Sequence, residues 1–370
     1  MNSILNLNSP LIGLSPMDGI TDSPFRYITK KYGNPDLIFT EFNNVMGMCL
    51  AGDNVMNTFE YDETQRPIIG QIFGKEPQYF YHAAKILCAL GFDGVDINMG
   101  CPAKTVASSG SGAGLIRTPE LAKEIVLATK EGVAHWVSNG ELTGLKERSL
   151  KGVNLLLERK KREIERNEFN LEKISNGFKN LLSSIKKEKT IERNLIPVSV
   201  KTRIGYDKPI TELWITQINE VNPMWITLHG RTLKQMYTGF ADWNEIKIAV
   251  NNSKAPILAN GDIKNKEDIE KVLRLTGASG VLIGRATYGN PWIFKTLKDN
   301  NEIDLKKRIN VMLEHAEKFV ELNPEPKLFF QMRKHFGWYI KGFDGANDIR
   351  KKLMTSTSLP EVRKIIEEYL

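Results

Sequence analysis

Eight times along its 370 residues the chain runs through an apolar, β-branched stretch, closes it with a glycine or polar residue, and passes into a helical period. The stretches are Leu11–Gly19, Asp36–Phe42, Pro67–Gly74, Gly94–Gly100, Pro197–Gly205, Trp225–Thr232, Ala255–Ile263 and Gly280–Ala286. Helical patterns follow, for example over 23–32, through "QYFYHAAKILCALG" and from "TPELAKEIVLATKEG", where Thr118 suits an N-cap and Pro119 the first helical position. The strand centres read as continuous apolar runs, as parallel strands covered on both faces do. A doubly wound open sheet competes with a closed (β/α)8 TIM barrel. The count of eight, with polar residues at nearly every strand end, favours the barrel.

Two segments break the rhythm. From Leu305 to Leu370 no strand pattern occurs, and "KKRINVMLEHAEKFVEL", "KLFFQMRKHFGWYIKGF" and "PEVRKIIEEYL" read as helices. This predicts a barrel domain over 1–300 and an all-helical domain over 301–370. The second break, about 134–194 between the fourth and fifth units, reads as an inserted pair of charged helices. Its 141–194 portion holds 14 Lys/Arg against 9 Glu and no Asp, a net +5 of the chain's formal +7. Leu150, Val153, Leu156 and Leu157 form an apolar stripe by which it would dock. A basic balance permits an anionic partner such as nucleic acid, and equally a solvated surface.

No apolar run reaches the ~18 residues that a membrane span needs. The opening "MNSILNLNSPLIGLSP" lacks a basic region or cleavage signal. The expected compartment is the cytoplasm. Three cysteines, Cys49, Cys88 and Cys101, are too few and wrongly spaced for a disulfide framework, a zinc site or an iron–sulfur cluster. Cys88 lies on an apolar helical face and reads as packing; Cys49 has no evident partner. No metal is expected.

In a barrel the C-terminal strand ends build the active site. Read as one set they present Pro16, Met17 and Asp18; Glu41; Gln71; Asn98 and Cys101; Lys201 and Arg203; His229 and Arg231; Asn260, Gly261 and Asp262; Gly284 and Arg285. Turns after strands seven and eight commonly grip a phosphate, and "ANGDI" and "IGRA" supply glycines for close approach and Arg285 for charge. Gln71, Lys201 and His229 suit a flat heteroaromatic ring bearing carbonyls and ring nitrogens. Flavin mononucleotide (FMN) would use both features. A nicotinamide nucleotide fits less well, because no GxGxxG follows the first strand. Cys101 could be a nucleophile, a proton donor or a structural thiol. The proton donor is preferred, because His229 stands two strands away from it. The small-residue loop "AKTVASSGSGAGL" after it suits closure over a substrate.

At this point the motifs resemble a family. "SPMDGITDSPFR", "DINMGCPAKTV", "VKTRIG", "HGRT", "ANGDI" and "GVLIGRATYGNPWIF", in barrel order, are similar to those of the tRNA-dihydrouridine synthases over about 10–130 and 195–345. "QMRKHFGWY" (Gln331–Tyr339) is similar to the bacterial B-like branch. The resemblance implies an FMN-dependent enzyme reduced by NADPH. Hydride would go to C6 of a uridine in tRNA and a cysteine proton to C5, giving 5,6-dihydrouridine. It implies that Cys101 is the acid. Pro16, Met17 and Asp18 would line the flavin, and Gln71, Lys201 and His229 would hold its ring. Asn260, Gly261, Asp262, Gly284 and Arg285 would hold its ribityl phosphate end. Asn98 and Arg203 would stand at the uracil. Arg333 and Lys334, with Lys327, Arg350, Lys351, Lys352 and Arg363, would face RNA. The charged insertion departs from the usual bacterial pattern and is either an extra tRNA-binding arm beside the Cys101 and Lys201 strand ends or a solvated decoration. Two rivals are a flavin barrel acting on a small molecule such as dihydroorotate, and a non-catalytic RNA-binding barrel.

Overall fold

The computed structural model describes residues 9–166, 175–186, 192–296 and 303–369. Eight parallel strands close into a barrel in chain order: β1 Leu11–Leu14, β2 Ile38–Asn44, β3 Ile68–Phe73, β4 Gly94–Met99, β5 Val198–Arg203, β6 Ile226–His229, β7 Ile257–Asn260 and β8 Gly280–Ile283. Leu11 to Leu14 pair with Gly280 to Ile283, which closes the ring without an open edge. All eight expected stretches contain a strand.

Helices begin where short polar side chains can take the orphan N–H groups of a first turn. Asp22 accepts from the Phe25 N–H at 2.9 Å to open helix Ser23–Gly33, and Asn265 does the same for Lys266–Thr276 through Asp268. Thr118 is a correction. It stands at the start of Pro119–Asn139, but at φ −131°, ψ 68° its side chain makes no capping bond. Pro119, with its φ already set, opens that helix.

The apolar-run reading of the strands also needs revision. Their interior faces are layered. Leu11, Phe39, Ile69, Leu258 and Leu282 form an apolar plug with Leu37 and Trp225. Towards the C-terminal ends the inward positions turn polar at every second residue: Asp96 and Asn98; Ser199, Lys201 and Arg203; Thr227 and His229. The intervening Val95, Ile97, Met99, Val200 and Leu228 join the large core shared with the helices. Period-2 alternation is therefore present where the barrel opens.

The insertion forms two helices, Glu147–Arg166 and Asn176–Lys186, while the expected stretches 167–174 and 187–191 lie outside the described residues. Residues 134–139, expected in the insertion, continue the fourth barrel helix to Asn139. Val153 and Leu156 are buried as the stripe predicts; Leu150 and Leu157 are half-buried. Part of the charge is used against the barrel, while Lys146, Arg148, Lys151, Lys161, Arg162 and Arg166 stay exposed. Lys160 is buried between Glu63 (3.1 Å) and Glu163 (2.9 Å), and Arg159 meets Glu60. Ser175 donates to Asp93, and Gly177 packs so tightly on Phe92 that an added Cβ would lie 2.4 Å from its carbonyl oxygen. Phe92 and Asp93 lead into β4, and Glu63 leads into β3. At its start Lys146 N–H bonds the Cys49 carbonyl at 3.1 Å and Arg148 packs on Gly52, both in the segment that follows β2. The insertion therefore runs along the flank of the barrel beside β2 and β3 to its N-terminal end, rather than standing over the β4 and β5 ends that carry Cys101 and Lys201.

The C-terminal helices Leu305–Leu322, Arg333–Tyr339, Ala346–Leu353 and Leu359–Tyr369 enclose a second core (Met312, Phe319, Met332, Phe336, Leu353, Val362) that also takes in Ile28 and Trp292. The expected helix through 327–343 is broken: Pro326–Met332 is a 3-10 turn. Residues 297–302, at the expected boundary between the two domains, lie outside the described residues. Lys334 Nζ donates to the Gly19 carbonyl just beyond β1, and Lys31 pairs with Glu314 at 2.7 Å. These helices therefore pack along Ser23–Gly33, and Lys334 reaches the open end of the barrel.

Candidate active site

Parallel register brings the polar residues together. Gln71 lies beside Asp96, Asn98 beside Lys201, Arg203 beside His229, and His229 beside Asn260. Side chains of neighbouring strands at these positions must meet inside the barrel.

Cys101 follows β4 by two residues and is 8% exposed. Its turn is held from three sides. Asn98 Oδ1 accepts from the N–H groups of Gly100 (3.0 Å) and Cys101 (2.9 Å). Arg203 Nε donates to the Gly100 carbonyl at 2.6 Å, and its Nη1 reaches the Thr232 carbonyl at 3.0 Å. Ala113 N–H bonds the Cys101 carbonyl at 3.3 Å. The expected open loop is partly a packed one: Gly112 to Ile116 are buried, and at φ +56° Gly112 leaves no room for a Cβ, which would meet Val106 Cγ1 at 2.9 Å. Burial raises the Cys101 thiol above its ordinary range, against the lowering influence of the Ala103 N–H and of Arg203 and Lys201; nearby Asp18 raises it further. The thiol keeps its proton near neutrality. A protonated thiol can serve as a proton donor, whereas nucleophilic attack needs the thiolate.

Beside it stands a row of cations. Lys201 Nζ donates to Asn260 Oδ1 at 3.1 Å, and Asn260 Nδ2 bonds the Leu282 carbonyl at 2.8 Å. Burial, then Arg203, lower Lys201 to about 8. Burial and the charges of Arg203, Lys201, Arg231 and Arg285 hold His229 well below its ordinary value, so its imidazole is neutral. Arg231 is buried and donates to Gly239 O (2.8 Å) and Asp262 Oδ2 (2.6 Å). Arg285, half exposed, reaches Asp262 Oδ1 at 3.0 Å. Asp262 adopts φ +55°, and Gly261, at φ +115°, could not carry a Cβ without meeting His229 and Ala241 at 2.8 Å. Around one mouth, Lys201, Arg203, Arg231 and Arg285 face few anions. An anionic phosphate joined to a ring with carbonyls is the chemistry such a donor set accepts. The residues fit FMN. Among the described residues no cluster of three or more His, Cys, Asp and Glu side chains is placed to hold a metal ion.

The expected residues divide by their contacts. Lys201, His229, Asn260, Gly261 and Arg285 converge on the mouth. Met17 sits against Gly284, where a Cβ would lie 3.4 Å from its sulfur, and Pro16 and Asp18 continue this β1 edge. Asp262 points its carboxylate at two arginines. Arg333 turns away, bonding the carbonyls of Ser356 (2.9 Å) and Thr355 (3.3 Å). Lys334 bridges to Gly19. Lys327, Lys351, Lys352 and Arg363 sit in surface pairs with Glu325, Asp348, Glu368 and Glu317, and Arg350 bonds Asn347.

Sequence reading passed over Asp96 and Asp22 and gave Glu41 no role. Asp22 and Glu41 flank fully buried Arg26, and Glu41 Oε1 accepts from the Gly19 N–H at 2.5 Å. The signal for Asp96 and Glu41 was a carboxylate inside an otherwise apolar run; Asp22 reads as a helix N-cap. Burial and the neighbouring Asp22 push Glu41 up to about 7, against Arg26 and the Gly19 N–H. Unfolded, it would ionise near 4.5. The folded chain therefore holds this proton more tightly, and the stability it brings is full below 4.5 and lost as pH rises through about 7. Glu41→Gln never ionises and keeps an acceptor for Gly19. Its stability relative to the native chain should rise by about 1–3 kcal/mol between pH 4 and pH 8 in urea titrations. A difference that does not change with pH would contradict this assignment.

The family model for dihydrouridine synthase (Dus) matches residues 13–151 and 175–369. The chain belongs to the dihydrouridine synthase family. The match omits 152–174, a narrower stretch than the 134–194 expected to be unusual. A probable tRNA-dihydrouridine synthase of Staphylococcus aureus (strain MRSA252) is 29% identical over 374 residues, covering 98% of this chain and 94% of its own. Probable tRNA-dihydrouridine synthase 2 of Bacillus subtilis (strain 168) is 29% identical over 373 residues, covering 98% and 95%. A solved variant of NCR from Zymomonas mobilis superposes loosely, with TM-score 0.42 and 13% identity over 83% of this chain and 96% of that one. The chain is a dihydrouridine synthase by family, and uridine reduction is its reaction. Among the described residues no helix is long and apolar enough to cross a membrane.

Proposed function

We propose that this chain reduces the C5=C6 bond of a uridine in tRNA to 5,6-dihydrouridine in the cytoplasm, with bound FMN and NADPH as electron source. The observation that supports the mechanism is the buried Cys101 thiol on a turn held by Asn98 and Arg203, at the same mouth as Lys201, His229 and Arg285. When bound, FMN supplies the hydride for C6. Cys101 gives its proton to C5 and is reprotonated from water. Lys201 and neutral His229, with Gln71, hold the ring. Asn260, the Gly261 backbone, Gly284 and Arg285 hold the phosphate end, while Pro16, Met17 and Asp18 line the β1 side. Asp262 serves by fixing Arg231 and Arg285, since its own charge would repel a phosphate. Asn98 keeps one amide hydrogen free of its turn contacts for the uracil, and Arg203 closes the same side.

A uridine in a stacked arm cannot enter a barrel mouth, so the base must swing out. Lys334 and the exposed cations of the C-terminal helices offer the phosphate grip. Their present surface pairs are worth little and exchange readily for phosphate. The purified protein, given tRNA from cells lacking dihydrouridine, should carry releasable FMN and form dihydrouridine with NADPH. A colourless protein that leaves such tRNA unmodified would overturn this reading, and turnover of dihydroorotate without tRNA would replace it with the small-molecule one.

A further inference from the structure

Beneath Cys101 lies a chain of buried hydrogen bonds whose direction is set by a carboxylate at one end and two backbone N–H groups at the other. Asp96 is fully buried on β4, two residues before Asn98. Its Oδ1 accepts from Ser199 Oγ on β5 at 2.6 Å and its Oδ2 from Gln71 Nε2 on β3 at 2.7 Å. Gln71 Oε1 then accepts from Asn98 Nδ2 at 3.0 Å, and Asn98 Oδ1 accepts from Gly100 and Cys101. A carboxylate can only accept. Facing Asp96, Gln71 must present its NH2 and therefore turn its oxygen to Asn98. Asn98 must then present its own NH2 to Gln71 and its oxygen to the cysteine turn. Reversing either amide would set NH2 against NH2, or NH2 against two backbone N–H groups.

Resting on the reading above, we propose that Asp96 is the positioning residue of the catalytic turn, fixing through Gln71 and Asn98 where the Cys101 thiol stands and which amide hydrogens face the substrate. It touches neither cofactor nor uracil. An asparagine in its place can still turn its oxygen to Gln71 and its NH2 to Ser199 Oγ, since the turn's N–H groups hold Asn98 as before, but the charge that strengthens both contacts is lost. The anchor beneath Gln71 and Asn98 then loosens, and the Cys101 turn with it.

The test uses the full chain and iodoacetamide, with Cys101 and Cys88 modification read separately by peptide mass spectrometry. Cys88 is fully buried on a barrel helix and reports global opening. Asp96→Asn should speed Cys101 alkylation about tenfold, within the range for groups sharing one hydrogen-bond network. Cys88 should not change, and kcat on tRNA should fall with KM held. Asn98→Ala should have a larger effect, and the double variant should be no worse than Asn98→Ala alone. Unchanged Cys101 reactivity in Asp96→Asn, or additive effects in the double variant, would overturn the proposal. Should Asp96→Asn fail to fold, Gln71→Met breaks the chain one link nearer the turn and is expected to give the same Cys101 response; an unaltered Cys101 there is equally fatal. Alkylation is independent of turnover, so an inactive wild-type chain would sink the functional reading and leave this one to be judged on the thiol.

Discussion

Cys101→Ala should abolish dihydrouridine formation in tRNA while leaving the fold and the proposed flavin in place. The side chain is small and buried, and its neighbours are tied to the backbone of the turn rather than to sulfur. Removing it takes away a proton donor and little packing. General acids of this kind contribute about 10²–10⁴-fold, so single-turnover reduction of tRNA should slow by at least that lower figure. Flavin reduction by NADPH, which needs no proton at C5, should keep its rate. Cys101→Ser should fall between, since a hydroxyl of the same reach is a far weaker acid. Dihydrouridine is counted by nuclease digestion and mass spectrometry. Native rates in the alanine variant would remove Cys101 from the chemistry.

Asp262→Ala carries the other large effect, on stability and cofactor together. Burial opposes ionisation of Asp262, but the Ala241 N–H, Arg231 and Arg285 outweigh it and hold the carboxyl below its ordinary range. Its loss leaves Arg231 buried without its anion, and alanine is poorly suited to the left-handed backbone at this position. Breaking a buried pair costs about 3–5 kcal/mol. Thermal unfolding should shift down accordingly and FMN should dissociate on purification. Asp262→Asn tolerates the backbone and keeps an acceptor, so its loss should be smaller. Arg285→Ala should separate the two effects: half exposed, it should weaken FMN binding while changing stability by about 1 kcal/mol or less. Equal melting of the native chain and Asp262→Ala would show that Arg231 does not depend on this carboxylate.

Much of the site was legible because a barrel converts sequence position into spatial position. Once eight strands are counted, each strand end must face the same mouth, and Cys101, Lys201, His229, Asn260 and Arg285 meet there. Asp262 shows where that rule stops. Position alone placed it near a phosphate, whereas its charge directs it to arginines. Arg333 shows a related limit: a basic residue on a helix looks free until the carbonyls of Thr355 and Ser356 are seen beside it. Asp96 and Glu41 went unassigned because a single carboxylate within an apolar run has no local partner to reveal it. The partners of Asp96 lie on adjacent strands, 25 residues away for Gln71 and 103 for Ser199, and Glu41 is met by the Gly19 turn 22 residues before it.

The charged insertion divides along the same line. Composition made it helical and basic, and spacing set its apolar stripe at Val153 and Leu156. Neither could say which end of the barrel it covers, because that depends on shape complementarity between Gly177 and the Phe92 turn and on ion pairs with Glu60 and Glu63. By itself, then, the sequence determined the barrel, the helical C-terminal segment and the ring of polar strand ends, since periodicity and turn chemistry are local. Only the tertiary structure decided which of those polar groups face the mouth free, which are consumed holding one another, and where the insertion lies, since each of these is settled by contacts between residues far apart in the chain.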